Sequence, residues 1–250
     1  MQKFIPILFS TAMVQAILEG RKTMTRRIVN PQPDNGTILE IGEFHSIVID
    51  KNGDEQPGEL TFGAISTDCE HCIKCKYGQP GDILTVRELH YRFGIWIEDE
   101  GEFTKAGKQK WKFVATTDEV KYFDNPPESF GISKPKKNFE AKWYKRNSLF
   151  MPKAACRLFL KVKSVKVERL QDISEEDAKA EGLKLHESGK HWLNYEDEHW
   201  NLTQFIYNCD TAKRSFQSLW CLINGRNSWF ANPWVWCISF ERIEKPENFI

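Results

Sequence analysis

The sequence predicts an α+β fold in which a small barrel or strongly curved sheet is flanked by helices. Short runs that alternate apolar and polar residues recur at long intervals along the 250 residues, as in strands that meet only in the tertiary structure. Two amphipathic segments with helix-capping residues lie between these runs. Long polar stretches separate the elements, and we interpret them as insertions on a compact scaffold.

The N-terminal region is predicted to form a strand followed by a helix. Residues 3–9 form an apolar run that is typical of a buried strand. Ser10 or Thr11 can cap the helix at its start, and Gly20 ends it. The segment after Gly20 therefore leaves the C-terminal end of a helix.

Three further strands are predicted in the middle and at the end of the chain. The turn sequence Pro-Gly-Asp at residues 80–82 leads into an apolar run at Ile83–Arg87. In residues 158–163 and 234–240 every second residue is apolar, which is the pattern of a strand with one buried face. Strands this short and this far apart favour a small, curved sheet.

Two more helices are predicted in the second half of the chain. Ser174 and the three acidic residues after it resemble a capping box, and Gly182 ends this short helix. The other helix runs from about residue 213 to residue 223 and ends before Gly225. Both helices are therefore delimited by residues that favour helix ends.

We interpret the chain as a single domain over residues 1–250 with three insertions. The insertions cover about residues 30–74, 91–147 and 185–207. The first two are rich in Lys, Asp, Asn, Gly and Pro, and the third holds aromatic residues among charges. None of them fits the strand and helix pattern of the scaffold.

The composition indicates a globular protein of the cytosol. The 35 lysines and arginines balance 35 acidic residues, and 40% of the chain is hydrophobic, which excludes a disordered chain. The sequence shows no basic leader and no apolar run long enough to cross a membrane. Seven cysteines favour reduced thiols over a disulfide framework. We therefore expect a cytoplasmic location and no membrane partner.

One segment concentrates positive charge. Residues 20–27 read Gly-Arg-Lys-Thr-Met-Thr-Arg-Arg, with four cations, two hydroxyls and no acid. Because the net charge of the chain is zero, this cluster is local, and it predicts a site for an anion. Arg21 and Lys22 alone could complement the negative end of the preceding helix dipole, an effect of about 0.3–1 kcal/mol. That interpretation leaves Arg26 and Arg27 without a role.

The spacing of Gly20, Lys22, Thr25 and Arg27 resembles the signature of the ASCH domain, a small β-barrel of the PUA-like superfamily associated with RNA. The chain is also similar to phage and prophage ASCH proteins at residues 6–10, 17–23, 77–82, 168–174 and 232–236. The resemblance implies a small PUA-like (ASCH) barrel with flanking helices and large insertions. It also implies a nucleoside, nucleotide or RNA partner in the cytoplasm of a bacterial host.

The same segment is similar to small bacterial acetylcytidine amidohydrolases. These enzymes remove an acyl group from the exocyclic amine of cytidine with a lysine, a threonine and a glutamate. The resemblance places Lys22 and Thr25 at the lysine and threonine positions and Glu181 at the glutamate position. It implies that Thr25 is the nucleophile, Lys22 its base and Glu181 the acid/base, with no cofactor for catalysis.

The chemistry of amide hydrolysis is compatible with these roles. A threonine hydroxyl reacts only when a base takes its proton, and a lysine serves as that base only if burial or nearby cations lower its pKa. Arg21, Arg26 and Arg27 are close enough in sequence to be such neighbours and to bind the substrate. The alternative is structural: a surface lysine, a threonine bonded to its own backbone and a glutamate at a helix end.

A second interpretation uses the same residues without turnover. Cations neutralise phosphates, and aromatic side chains stack on unpaired bases at about 1–3 kcal/mol each. Among nine tryptophans, Trp229 follows a Gly-Arg-Asn-Ser turn and is expected to be exposed for stacking, and Arg87 at a strand end is expected to add to the cleft. The alternatives are therefore a non-catalytic reader of RNA or modified bases, a ribonuclease for single-stranded RNA, or a phage accessory factor with an unknown protein partner.

Cys69, Cys72 and Cys75 have the spacing of a zinc knuckle and predict a structural zinc. A fourth ligand has to come from elsewhere in the chain, because His71 is adjacent to Cys72. The alternative is that all three are reduced surface or core thiols. Such a zinc would stabilise the first insertion and take no part in the chemistry.

Overall fold

The computed structural model describes residues 2–34, 37–67, 72–133, 140–196 and 207–249. Strands account for more of these residues than helices do, so the predicted α+β class is confirmed. None of the described helices is long and apolar enough to cross a membrane.

The secondary structure elements are numbered in chain order. The described strands are β1 (Phe4–Leu8), β2 (Met24–Ile28), β3 (Leu39–Ile49), β4 (Glu55–Ser66), β5 (Cys72–Lys74), β6 (Ile83–Arg87), β7 (His90–Phe103), β8 (Gln109–Tyr122), β9 (Lys142–Arg146), β10 (Phe159–Arg169), β11 (Trp192–Leu193), β12 (Tyr207–Cys209) and β13 (Trp234–Ile243). The described helices are α1 (Thr11–Leu18), α2 (Glu175–Ala180), α3 (Ala212–Asn224) and α4 (Arg226–Phe230). Single 3₁₀ turns occupy Ser148–Phe150, Lys153–Ala155 and Leu170–Asp172.

A five-stranded sheet contains the strands that were predicted for the scaffold. Its order is β1-β6-β10-β13-β2, and β10 runs antiparallel to both β6 and β13. Strand β2 adds antiparallel to β13. The described strands form four separate sheets, and no closed barrel is found among them.

The chain divides into two compact units. Unit 1 consists mainly of Gln15–Thr85 and Leu158–Pro246, and unit 2 mainly of Val86–Arg157. The predicted insertion at residues 30–74 lies in unit 1, and the one at 91–147 lies in unit 2. The interpretation of residues 1–250 as one domain stays a prediction.

The first two predicted insertions each contain a three-stranded antiparallel sheet. Strands β3, β4 and β5 form the sheet of the first, and β8, β7 and β9 form the sheet of the second. Many side chains of β3, β4 and β8 are exposed, so the apolar residues of these strands do not form a pattern that predicts a core-facing strand. In the third insertion β11 pairs with β12, and residues 197–206 lie outside the described part of the chain.

The core of unit 1 lies between the five-stranded sheet and helices α2, α3 and α4. It consists of the buried residues Leu170, Ile173, Ala178, Leu183, Ala212, Phe216, Trp220, Cys221, Trp229, Val235 and Cys237. Val235 and Cys237 come from β13, whose alternation directs Trp234 and Trp236 to the other face of the sheet. All four of these β13 residues are buried, so the strand is covered on both faces.

Side chains cap the N-terminal ends of helices α2 and α3. Ser174 Oγ accepts the backbone N–H of Asp177 at 3.1 Å, as the capping-box pattern predicts for α2. The carboxylate of Glu175 accepts the backbone N–H groups of Ala212 and Lys213 at 2.9 and 3.1 Å. These bonds satisfy two free donors at the start of α3 and tie α2 to α3.

A fully buried histidine lies in unit 2. His90 begins β7, its Nδ1 is 3.2 Å from the carbonyl oxygen of Glu88, and its Nε2 has no hydrogen-bond partner among the described residues. The Glu88 carboxylate is also buried and accepts two hydrogen bonds from Arg157 at 2.9 and 3.0 Å. Burial lowers the pKa of His90 to about 4, against the opposing effect of the Glu88 carbonyl.

This histidine predicts a loss of stability in mild acid. Its pKa is about 4 in the folded protein and about 6.5 in an unfolded chain, so the unfolded state takes up the proton first as the pH falls below about 6.5. Between about pH 7 and pH 5, wild type should lose about 2 kcal/mol more unfolding free energy than His90→Gln. Urea unfolding of both proteins at the two pH values measures this difference. Equal losses in the two proteins would show that His90 is not responsible.

Candidate active site

The cationic segment changes from a turn into a strand halfway along its length. After α1, the backbone N–H groups of Arg21 and Lys22 both donate to the carbonyl of Ala16, at 2.9 and 3.0 Å. Strand β2 then places Arg26 opposite Cys237 and Arg27 opposite Trp236 on β13. Because side chains alternate along a strand, the two arginines point to opposite faces of the sheet.

Lys22 and Glu181 form a buried ion pair. The Lys22 Nζ donates to Glu181 Oε2 at 2.7 Å and to the Glu181 carbonyl oxygen at 3.0 Å. Their side chains are only 1% and 6% exposed. The two residues also form an isolated β-bridge, and the Thr23 N–H donates to the Ala180 carbonyl at 2.9 Å. The chain thus holds the end of α2 against the segment that precedes β2.

Gly182 permits this close approach. Its φ is +89°, and a Cβ at this position would lie 2.7 Å from the Cβ of Lys22 and 3.0 Å from that of Ala16. Any other residue would therefore be strained in its backbone and would also displace Lys22.

Burial changes the acidity of Lys22. Desolvation lowers the pKa of its ammonium group, the Glu181 carboxylate opposes this change, and the charges of Arg27 and Arg26 add to it. The neutral amine is therefore easier to reach than in an exposed lysine, as a general base requires.

Arg26 binds carboxylates of the protein itself, although its place in the cationic segment predicts a substrate-binding residue. Its side chain is fully buried, and its Nη2 donates to Glu168 Oε1 at 2.6 Å and to Asp177 Oδ2 at 2.9 Å. Its Nη1 lies 3.5 Å from Glu181 Oε1, and the guanidinium lies 5.8 Å from the centre of the Phe216 ring. The strand alternation of β2 thus directs this cation toward the helices.

Thr25 and Arg27 share the other face of β2. Thr25 is 2% exposed and lies opposite Ile238 on β13. Arg27 lines a cleft of about 380 Å³ together with Ile28, Asn30, Lys74, Lys76, Tyr77, Asn224 and Trp236. Burial lowers the pKa of Arg27, while Tyr77 acts in the opposite direction.

The other predicted binding residues occupy different places. Arg21 forms hydrogen bonds to Glu19 at 2.5 and 2.7 Å, and its Nη1 donates to the carbonyl of Gly182. Arg87 belongs to unit 2, where its Nη1 donates to the Leu149 carbonyl at 3.3 Å.

The expectation that Trp229 is exposed is wrong. Residues Arg226–Phe230 form α4, and Trp229 is 6% exposed with its ring centre 6.3 Å from that of Phe216. The Gly-Arg-Asn-Ser sequence begins a helix here, and the apolar face of α3 buries the tryptophan.

The zinc prediction involves residues that the structure describes only in part. Cys69 and His71 lie outside the described residues, Cys72 is exposed, and Cys75 is buried, which raises the pKa of its thiol to about 11. Within residues 2–34, 37–67, 72–133, 140–196 and 207–249, no group of three or more His, Cys, Asp or Glu side chains could hold a metal ion. A structural zinc stays a prediction.

Several residues of these sites are not indicated by the sequence, and five of them carry ionisable side chains. They are Glu168, Asp177, Lys74, Lys76 and Tyr77. A usable signal existed only for the two lysines, which alternate with buried Ile73 and Cys75 as strand residues do. Glu168 and Asp177 meet Arg26 only through the tertiary fold.

Comparison of the chain with protein-family models, with curated proteins and with solved structures finds no match. The resemblance to ASCH proteins therefore stays a prediction from the motif. The functional interpretation depends on the geometry of the residues described above.

Loss of the buried guanidinium is expected to destabilise the protein strongly. Arg26→Met leaves three carboxylates without their shared cation and should lower the unfolding free energy by about 3 kcal/mol or more. As a control, Arg214→Ala removes an exposed pair with Asp210, in which both side chains are 64% exposed, and should leave the unfolding free energy almost unchanged. Urea unfolding measures both changes, and similar losses would contradict the assigned role of Arg26.

A matched pair of glycines tests the contact at Lys22. Gly182→Ala and Gly189→Ala both place a side chain at positive φ, +89° and +71°, but only Gly182 has atoms within 4 Å of the added Cβ. Gly182→Ala should therefore cost about 1–3 kcal/mol more than Gly189→Ala. Thermal or urea unfolding checks the difference, and equal costs would mean that the contact with Lys22 is not tight.

Proposed function

We propose that the protein is an amidohydrolase that removes an acyl group from a modified pyrimidine nucleoside. The observation that carries this proposal is the buried ion pair between Lys22 and Glu181, with 2.7 Å between Nζ and Oε2. Thr25 lies three residues after Lys22 and supplies a buried hydroxyl at the start of β2. We also propose that the five-stranded sheet is of the PUA-like (ASCH) type, because the matching motif spans the connection from α1 to β2.

In the proposed reaction, Lys22 as neutral amine first takes the hydroxyl proton of Thr25 through one bridging water molecule, because the alternation of β2 directs the Thr25 hydroxyl to the face opposite Arg26. Thr25 Oγ attacks the acyl carbonyl carbon, the carbon–nitrogen bond breaks, and the exocyclic amine leaves with the proton that Lys22 Nζ has taken. Water then attacks the acyl-threonine ester: Glu181 takes a proton from the water and returns it to Thr25 Oγ as the carbon–oxygen bond breaks, and the carboxylic acid is released. The products are the unmodified nucleoside and the free acid, so no oxidant or cofactor is consumed.

The electrostatic environment supports these roles. Burial lowers the pKa of Lys22, which makes its neutral form accessible, and Glu181 lies within hydrogen-bond distance to receive or return a proton. Arg26 contacts the same carboxylate at 3.5 Å and orients it. The reaction rate should therefore rise with pH until Lys22 has lost its proton.

A second candidate function is a non-catalytic reader of RNA or of modified bases. The cleft beside β2 favours it, because three cations and two aromatic side chains line that cleft. Such a surface binds phosphates and stacks on bases without any chemical step.

Acetylcytidine hydrolysis tests the proposal directly. Wild type should release cytidine and acetate, and Thr25→Val, which keeps the side-chain shape but removes the hydroxyl, should slow the reaction by about 1000-fold. Lys22→Met should slow it by about 100-fold or more. Thr25→Ser should retain activity, and Thr23→Val, at an exposed position of the same segment, should match wild type.

Two results would contradict the proposal. Full activity of Thr25→Val would remove the nucleophile from the mechanism. If wild type shows no turnover but binds RNA with an affinity that falls as the salt concentration rises, the protein is a non-catalytic reader and not an enzyme. Circular dichroism of each variant shows whether it is folded.

A further inference from the structure

We propose that the cleft beside β2 is a phosphate site, so that the ligand is a pyrimidine nucleotide rather than a free nucleoside. This inference rests on the proposed function, because it names the class of substrate that the proposed amidohydrolase would take. The phosphate would be held by Arg27, Lys74 and Lys76.

The charge of the cleft is of one sign. Three of its lining residues are cations, and none of the lining residues that the structure describes is acidic. Within the described part of the chain, the ammonium groups of Lys74 and Lys76 take part in no ion pair within 4 Å. A concave surface lined by several cations attracts an anion.

The backbone places both lysines on the same side. Ile73 and Cys75 are buried, whereas Lys74 and Lys76 are exposed, so the alternation of an extended chain directs both ammonium groups outward together. Two residues along an extended chain span about 6.6 Å, so two like charges lie close together there. A phosphate carries enough negative charge to relieve their repulsion.

Lys74 and Lys76 also border a smaller recess that contains Glu59 and Asp82. The Asp82 carboxylate already accepts the backbone N–H groups of Lys3 at 2.9 Å and of Gln79 at 3.1 Å. Of these two recesses, the cleft beside β2 is the one that Arg27 lines. The additional guanidinium therefore favours that cleft as the phosphate site, since a guanidinium can donate two parallel hydrogen bonds to one phosphate.

The rest of the lining suits the nucleoside part. Tyr77 is half-buried and offers ring surface at the wall of the cleft, whereas Trp236 is buried and closes the cleft from below. Asn30 and Asn224 add side-chain amides that can both donate and accept hydrogen bonds, as the edge of a base requires. The volume of about 380 Å³ falls in the range of small-ligand sites.

Calorimetric titration with unacylated ligands tests this inference separately from catalysis. Cytidine 5′-monophosphate should bind about tenfold more tightly than cytidine, and the advantage should shrink as salt rises. The double variant Lys74→Gln/Lys76→Gln should lose this advantage while its affinity for cytidine stays unchanged. The control Lys161→Gln/Lys163→Gln removes two exposed lysines with the same spacing on β10 and should behave as wild type.

Equal affinity of wild type for the monophosphate and for cytidine would overturn the inference. The same loss in both double variants would also overturn it, because the effect would then be one of net charge. A short oligocytidine RNA in the same titration identifies the source of the phosphate: tighter binding than the monophosphate, lost in Lys74→Gln/Lys76→Gln, indicates a nucleic acid strand, and weaker binding indicates the mononucleotide.

The two proposals can fail independently. If acetylcytidine is hydrolysed but cytidine 5′-monophosphate binds no more tightly than cytidine, the proposed enzymatic function is supported and the phosphate site is not. If the monophosphate binds through Lys74 and Lys76 but no acyl group is released, the phosphate site stands and the catalytic assignment does not.

Discussion

A cluster of buried and half-buried charges joins β2 to α2, and the candidate site is built around it. Lys22 and Arg26 contribute two cations, and Glu168, Asp177 and Glu181 contribute three carboxylates. Removing such charges from water is costly, so the cluster persists only because each group finds partners at hydrogen-bond distance. The position of α2 against the sheet is therefore set by directional ion pairs as well as by apolar packing.

Local signals made much of the fold predictable. Ser174 and Gly182 delimit α2 as their capping chemistry requires, because such signals involve only neighbouring residues. Strand β2 was not predictable, since Thr25, Arg26 and Arg27 show no apolar alternation and become a strand only by pairing with β13. Whether the sheet stays open or closes into a barrel likewise depends on pairings between strands that are distant in sequence.

The candidate site was predictable only in part, for a similar reason. The motif resemblance indicated Lys22 and Glu181 as site residues. These residues are 159 positions apart, so no local sequence pattern shows that their side chains lie within hydrogen-bond distance. Lys74 and Lys76 lie in a cysteine-rich segment whose spacing predicts a metal site and not an anion site. Their role as a charged wall depends on Arg27, which reaches the same cleft from another strand.

Strand β2 sends Arg26 to the helix side of the sheet and Arg27 to the cleft side, each fixed by its partner on β13. A register slip of one residue would exchange the two guanidinium groups, leaving the carboxylates and the cleft each with the wrong neighbour. An inserted or deleted residue between Gly20 and Met24 would force such a slip. The length of this connection therefore decides which guanidinium reaches the carboxylates and which reaches the cleft.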